Sequence, residues 1–190
     1  MSPSSKPDPP QTLHSERRRH TSVPRLEDER LYMRRLTPSD IADIREISFY
    51  DGRPAASAEE ALAMLARIEE DVERGESLHW GVFLHGAPTC VGTCGYYRGF
   101  VGGTGEIGYV LRDRFRGRGI MTAAVNLVVA YGFDDLGLGR IVADVEPDNA
   151  ASIRLLERVG FRLEHEGDDH FRYSRLPRHS DVAGLEPRPT

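Results

Sequence analysis

GEIGYVLRDRFRGRGIMTAA (residues 105–124) and VADVEPDNAASIRLLERVGF (residues 142–161) decide how this chain folds. The first reads as a strand, a loop broken by Gly117 and Gly119 between arginines, and the start of a helix; the second reads as a strand and a helix. A glycine loop running straight into a helix presents unpaired backbone N–H groups where the helix dipole is positive. That combination suits a phosphorylated ligand. Gly117 and Gly119 let successive N–H groups curl around one anion, and Arg116 and Arg118 add charge that pairs with phosphate oxygens. The plainer reading of the same hexapeptide, Arg114 to Gly119, is an arginine-rich surface turn.

Just upstream, Gly103-Thr104-Gly105-Glu106-Ile107-Gly108 spells the GxGxxG of a dinucleotide site. Such a motif has to open a helix, whereas Tyr109, Val110 and Leu111 continue as strand formers. The glycines are therefore read as a turn, with Gly108 letting another backbone approach the strand. Outward from there, alternation and turn chemistry give strands at 30–36, 77–84, 89–97, 106–111, 140–145, 161–164 and 170–176. One helix is expected from the Thr37-Pro38-Ser39-Asp40 start to about Tyr50, and another from Ser57, with Glu60 as its capping-box partner, to Gly75. Two more run from Ile120 to about Leu136 and from Asn149 to Val159, the last closed by Gly160 with Phe161 packing back. The fold class is α/β of the α+β type: a mixed, mainly antiparallel central sheet of about six to seven strands with about four helices.

The 190 residues suffice for one well-cored domain. Residues 1–25, rich in Ser, Pro and charge, read as a disordered tail, 26–176 as the domain and 177–190 as a second tail. Twenty-five basic against 30 acidic residues argue against a dedicated nucleic-acid binder. Arg17, Arg18, Arg19 and His20 still leave a nucleic-acid or acidic-partner contact of the tail open, against the plainer reading of a solvated tail. Cys90 and Cys94 lie in one strand, roughly 13 Å apart and too distant for a disulfide, so they read as reduced thiols. A two-cysteine metal site completed by His85 is the competing reading, and no metal is expected. No apolar run approaches the ~20 residues of a membrane span, and the N-terminus lacks a secretory core. A cytoplasmic protein is expected, with monomer and homodimer both open.

Three motifs then fall in order. Arg114, Gly117 and Gly119 match the Arg/Gln-x-x-Gly-x-Gly/Ala hallmark of the GCN5-related N-acetyltransferase (GNAT) superfamily. Asn149-Ala150-Ala151-Ser152 matches the Asn-x-x-Ser of its RimJ/RimL-type ribosomal-protein N-terminal acetyltransferases, and Val159-Gly160-Phe161 matches their closing Gly-Phe. RLYMRRLTPSDIADI (30–44) looks like the family's first strand and helix, so the resemblance covers about residues 30 to 176.

The resemblance implies an N-acetyltransferase with acetyl-CoA as donor co-substrate and a small-molecule or peptide amine as acceptor. It implies that backbone groups of Val110 and Leu111 pair with the pantetheine arm in a V-shaped gap between splayed strands. Arg116, Gly117, Arg118, Gly119, Ile120, Met121 and Thr122 would hold the pyrophosphate, Asn149 would hydrogen-bond the pantetheine, and Ser152 would protonate the leaving thiolate. Ala123 departs from the glutamate that this branch often carries there, which removes a helix-start carboxylate without disabling cofactor binding.

Glu106, near the start of its strand where the superfamily often places a base, is the candidate general base; the plainer reading is an edge-strand glutamate. An α-amino acceptor is about one-tenth neutral at pH 7, a penalty of roughly 1.4 kcal/mol, while a lysine-like amine costs about 4.6 kcal/mol. A base helps with the first and is nearly obligatory for the second. His79 and Trp80 stand on a strand that could face the acceptor; Trp80 is read as core and His79 is unassigned. Direct attack in a ternary complex is expected, because no cysteine occupies the reaction centre as a nucleophile, with Cys94 the one thiol that could overturn this. The alternative is a non-catalytic acyl-CoA-binding regulatory domain on the same scaffold.

Overall fold

Strand alternation sorts side chains onto two faces of a central sheet, and helices cover both. The computed structural model describes residues 21–50 and 53–178. The sheet has eight strands in the order β1 (Leu26–Glu27), β2 (Leu31–Arg34), β5 (Leu78–Leu84), β6 (Cys90–Tyr97), β7 (Thr104–Leu111), β8 (Arg140–Val145), β10 (Phe171–Arg175) and β9 (Arg162–Glu166). A separate two-stranded ribbon pairs β3 (Phe49–Tyr50) with β4 (Arg53–Pro54). All neighbouring strands run antiparallel except β7 and β8.

Helices α3 (Ile120–Asp134) and α4 (Ala150–Arg158) pack on the face that carries Leu78, Trp80, Val82, Cys94 and Tyr96. Tyr96 Oη donates to the Val128 carbonyl at 2.9 Å, and the Trp80 ring meets Tyr131 edge-on. The other face carries Phe83 and Val110 against short α1 (Ile41–Ile44) and α2 (Ala58–Glu73), through Ile41, Ile44, Ala61 and Leu65. Each fully buried large apolar side chain contributes about 1.5–3 kcal/mol, so this two-sided burial holds the sheet in place. Trp80 is core as expected, with no exposed surface, and adjacent His79 points to the opposite, α1–α2 face.

The expected fold class holds, and five details differ. The seven expected strands are present, and β1 adds an eighth. Residues 21–25, assigned by composition to the tail, are seated on the domain: Val23 packs on the core and the Pro24 carbonyl accepts from Trp80 Nε1 at 2.7 Å. Main-chain ties of that kind leave no compositional trace. Residues 1–20, with the Arg17–His20 cluster, and 179–190 lie outside the described residues.

The helix expected to reach Tyr50 is broken into a 3-10 turn (Pro38–Asp40), the four residues of α1 and a second 3-10 turn (Arg45–Ile47) before β3. Asp40 spends its carboxylate on the Thr37 N–H at 2.8 Å and on a two-pronged pair with Arg34 at 2.9 Å, and Ser48 Oγ donates back to the Ile44 carbonyl at 3.0 Å. The Ser48 bond takes a carbonyl that a longer helix would need, whereas the Asp40–Thr37 bond caps the helix start. At α2, Ser57 Oγ accepts from the Glu60 N–H at 3.1 Å, but Glu60 reaches Ala56 N–H at 2.8 Å rather than closing the box on Ser57.

Cys90 and Cys94 are buried free thiols in β6. The register slips beside Val91, pairing Val82 with Gly92 but Phe83 with Cys90, so the two thiols join cores on opposite faces of the sheet. Gly105 and Gly108 sit inside β7, which opens no helix and so is no dinucleotide turn. A Cβ on Gly108 would lie 2.9 Å from the Tyr97 ring; a ring, not another backbone, is what approaches there.

Candidate active site

β7 and β8 pair only at Thr104–Arg140, Gly105–Ile141 and Glu106–Val142, although β7 continues to Leu111 and β8 to Val145. Beyond Glu106 they part, and β7 keeps only β6 as a strand partner through Leu111. Backbone left unpaired on one side of a strand is what an extended ligand can pair with. A cleft of ≈ 1770 Å³ opens at this point. Its lining combines Glu106, Gly108 and Val110 from the α1–α2 face with Tyr109, Asn149 and Ser152 from the α3–α4 face, so it runs through the sheet.

On the α1–α2 side, His79 lies opposite Gly95, and Gly95 opposite Gly108, which makes a low floor between His79 and the neighbouring Tyr97–Glu106 pair. Glu106 forms an ion pair with Arg98, a non-glycine residue held at φ 59°. Left-handed backbone at arginine is strained, which marks the turn as one constrained by its surroundings. His79 is 7% exposed, and its ring lies 5.7 Å from Tyr97. Burial pushes its pKa down to about 4, leaving a neutral imidazole on the cleft wall.

On the α3–α4 side, Asn149 caps α4 by accepting the Ser152 N–H on Oδ1 at 3.1 Å, which leaves the amide N–H groups as its free donors. Tyr109 Oη is buried and has no hydrogen-bond partner among the described residues, and burial lifts its pKa to about 12. The Ser152 hydroxyl is its nearest polar neighbour and draws that pKa partly back, but does not reach it with hydrogen-bond geometry.

The glycine loop follows. After a 3-10 turn at Asp113–Phe115, Gly117 and Gly119 take φ 73° and 72°, and Gly119 starts α3 with no side-chain cap. The first bond inside α3 is Ala123 N–H to the Gly119 carbonyl at 3.1 Å, so the N–H groups of Ile120, Met121 and Thr122 point out of the helix end. The Ile120 and Met121 side chains are buried, so these two residues can offer a ligand only main chain. Arg116 pairs with Asp113 at 2.9 Å, and Arg30 donates to the Arg118 carbonyl at 2.6 Å, tying the loop to β2's start.

Residues 30–162 match the family model described as the acetyltransferase (GNAT) domain. The chain belongs to the GNAT acetyltransferase family. Among its relatives, the Bacillus subtilis protein named probable N-acetyltransferase YjcK is 40% identical over 53% of this chain and 56% of its own length. The B. subtilis uncharacterized N-acetyltransferase YoaA is 32% identical over 74% of this chain and 84% of its own. In fold the chain is similar to Mycobacterium smegmatis RimJ, solved with a CoA disulfide, at TM-score 0.67 and 23% identity over 81% of this chain and 86% of that one.

Within this GNAT domain the residues singled out by sequence fall into two groups. Glu106, Val110, Asn149 and Ser152 line one cleft. Leu111 and the Arg116–Met121 stretch do not line it; the end of α3 opens instead on a smaller groove, where Gly119 and Thr122 meet Arg30 and Arg158. Sequence reasoning missed the Arg98 partner of Glu106 and the orphaned Tyr109 hydroxyl. Alternation along β7 puts Tyr109 on the face opposite Glu106, but nothing in sequence says that its hydroxyl lacks a partner.

Proposed function

We propose that this GNAT protein moves acetyl from acetyl-CoA to a primary amine by direct attack within a ternary complex. The observation that supports it best is the cleft through the sheet, with Glu106 on one face and Ser152 on the other. A thioester threaded along the free edge of β7 at Val110 and Leu111 would present its carbonyl between the two faces. The amine reaches it from the α1–α2 side and loses its ammonium proton to Glu106, once the acceptor displaces Arg98 from that carboxylate. Attack forms the C–N bond, the C–S bond breaks with its electron pair on sulfur, and Ser152 donates to that sulfur. The Asn149 amide holds the pantetheine; the loop Arg116, Gly117, Arg118 and Gly119, with the N–H groups of Ile120, Met121 and Thr122, takes the pyrophosphate. Cys94 suits no acyl-enzyme route: it has no exposed surface, and burial raises its thiol pKa far above the range in which a thiolate forms.

The acceptor's chemistry follows from the lining. Asp71, Glu76, Glu106, Asp144 and Glu146 set five carboxylates against the two guanidiniums of Arg74 and Arg98, which favours a cationic amine. A fold neighbour is named ribosomal-protein-S5-alanine acetyltransferase, from Vibrio fischeri, at TM-score 0.69 and 23% identity, so a peptide N-terminus is the first acceptor to test.

Free-thiol release from acetyl-CoA, measured against peptides, polyamines and aminoglycosides, tests the proposal. Turnover is expected with a cationic member of the panel. Glu106→Gln is expected to lower kcat by about 10²–10⁴-fold at unchanged acetyl-CoA affinity; wild-type rates with a lysine-like acceptor would remove Glu106 from the role. Tight acetyl-CoA binding with no turnover on any amine would favour the non-catalytic binding domain.

A further inference from the structure

We infer that Tyr109 is a further catalytic residue, its hydroxyl donating a hydrogen bond to the sulfur of the bound thioester beside Ser152. The inference rests on the proposed acetyl transfer and adds a group to it. Three observations lead there. Tyr109 Oη is buried without a partner among the described residues. A buried hydroxyl left unpaired costs about 1–3 kcal/mol, and such orphans in native proteins call for an explanation. Tyr109 also lies in the part of β7 that has left β8, on the face of the sheet that carries α4. Finally, it lines the through-sheet cleft together with Asn149 and Ser152, and the Ser152 hydroxyl neighbours it without hydrogen-bond geometry. Two neighbouring hydroxyls that line one cleft, with Tyr109 Oη left without a well-formed bond to Ser152, can share an acceptor placed between them.

The role is donation, not proton loss. Burial holds the Tyr109 phenol near 12, above the range of ordinary alkyl thiols. The phenol is therefore the weaker acid, and it keeps its proton while stabilising charge on sulfur. As the C–S bond breaks, the electron pair settles on sulfur under two hydrogen bonds. The proton shed by the new amide nitrogen then neutralises that sulfur by way of Ser152 and solvent, and Tyr109 ends the cycle unchanged.

Tyr109→Phe keeps the ring and removes only the hydroxyl. Relative to wild type, the variant is expected to have an equal or higher Tm without ligand, since the orphaned group is gone. Its kcat should fall roughly ten- to hundredfold, the worth of a hydrogen bond to a charged acceptor, with acetyl-CoA KM little changed. The decisive readout is ultraviolet titration of the thiol of bound CoA, whose pKa should rise by about one unit or more when a donor to the thiolate is lost. An unchanged kcat with an unchanged bound-thiol pKa overturns the inference. So does a lower Tm with a parallel loss of activity, which assigns the hydroxyl to packing. Should wild type itself neither bind CoA nor release thiol, the proposed function fails; should wild type do both and Tyr109→Phe match it, only the Tyr109 assignment fails.

Discussion

Around the start of α3 the working parts are main chain: Gly117 and Gly119 at φ 73° and 72°, three N–H groups beyond an uncapped helix end, and a strand edge at 107–111 released by β8. Across the sheet, the wall around α1 is held by side chains that reach far along the sequence. Asp43 accepts the Cys90 N–H at 3.0 Å, Arg112 donates to Glu46 Oε1 at 3.0 Å and to the Cys90 carbonyl at 3.1 Å, and Tyr50 reaches Asp71 at 3.3 Å. Backbone recognises what every donor molecule shares, and it tolerates drift of the surrounding side chains. Side-chain walls can be re-cut pair by pair. Under the proposed function the molecule separates a fixed donor half from an adjustable acceptor half, and substitutions in each should move different parameters.

The sharpest cut falls in the donor half. Gly117→Glu should raise the acetyl-CoA Kd by more than about a hundredfold, because a carboxylate replaces part of an anion-holding loop and the left-handed backbone costs a further ~1–2 kcal/mol. Nothing lies within 4 Å of a Cβ built at Gly117, so no clash confuses the result. Gly117→Ala carries the backbone cost alone and should lose far less. Calorimetry on both variants checks this. Equal losses would make the loop a conformational part only, and a changed acceptor KM at constant acetyl-CoA affinity would break the division between halves.

That division also explains what could be read from sequence. Main-chain devices need particular residues at short spacings: Gly117 and Gly119 for positive φ, Asn149 three residues before Ser152 for a cap, Gly160 at φ 90° to end α4. Short spacings are visible in one sequence, so β7 to α4 was legible almost residue by residue. The acceptor half depends on pairs such as Arg112 with Glu46, 66 residues apart, and on a bulge beside Val91 that no local pattern announces. The Asp40–Arg34 pair beside the broken helix before β3 is equally silent in sequence, since Asp40 caps the helix start at Thr37 and reaches back to Arg34 at once. Glu106 was legible as a residue and illegible as a state: its pairing with Arg98 comes from a strained turn eight positions away.

A second test uses acid. His79 on the acceptor face is held neutral by burial, with its pKa lowered from 6.5 to about 4. The unfolded chain therefore binds a proton between those values that the folded chain refuses. Stability from this site is complete above pH 6.5 and declines as pH falls towards 4, by on the order of 3 kcal/mol in all. Asp40 and Asp144, both with lowered pKa through their arginine partners, add a loss in the same direction at lower pH. Urea unfolding at a series of pH values should show the wild-type slope between pH 6.5 and 4, and His79→Gln should flatten it. A variant that keeps the full slope would place the proton elsewhere and leave the acceptor wall without its neutral imidazole.

The smallest expected effect is the most direct test of the separation, because it touches the seam. Asp43 lies on α1, yet its Oδ1 sits 3.7 Å from Arg112, which follows Leu111 at the end of the donor strand. The ion pair is long and its carboxylate 34% exposed, but the same carboxylate accepts the Cys90 N–H at 3.0 Å, so Asp43→Ala should cost roughly 1–3 kcal/mol of stability, most of it from that hydrogen bond. Arg112 keeps Glu46 and the Cys90 carbonyl, which should hold the end of β7 where it is. What loosens is α1, the wall against which an acceptor lies. The acceptor KM is therefore expected to rise about three- to tenfold, with the acetyl-CoA KM unchanged, as one modest polar contact allows. If the acetyl-CoA KM moves instead, Asp43 acts through Arg112 on the strand edge at Val110 and Leu111. The two halves would then be coupled through a single guanidinium, and acceptor binding could tighten or relax the grip on the donor.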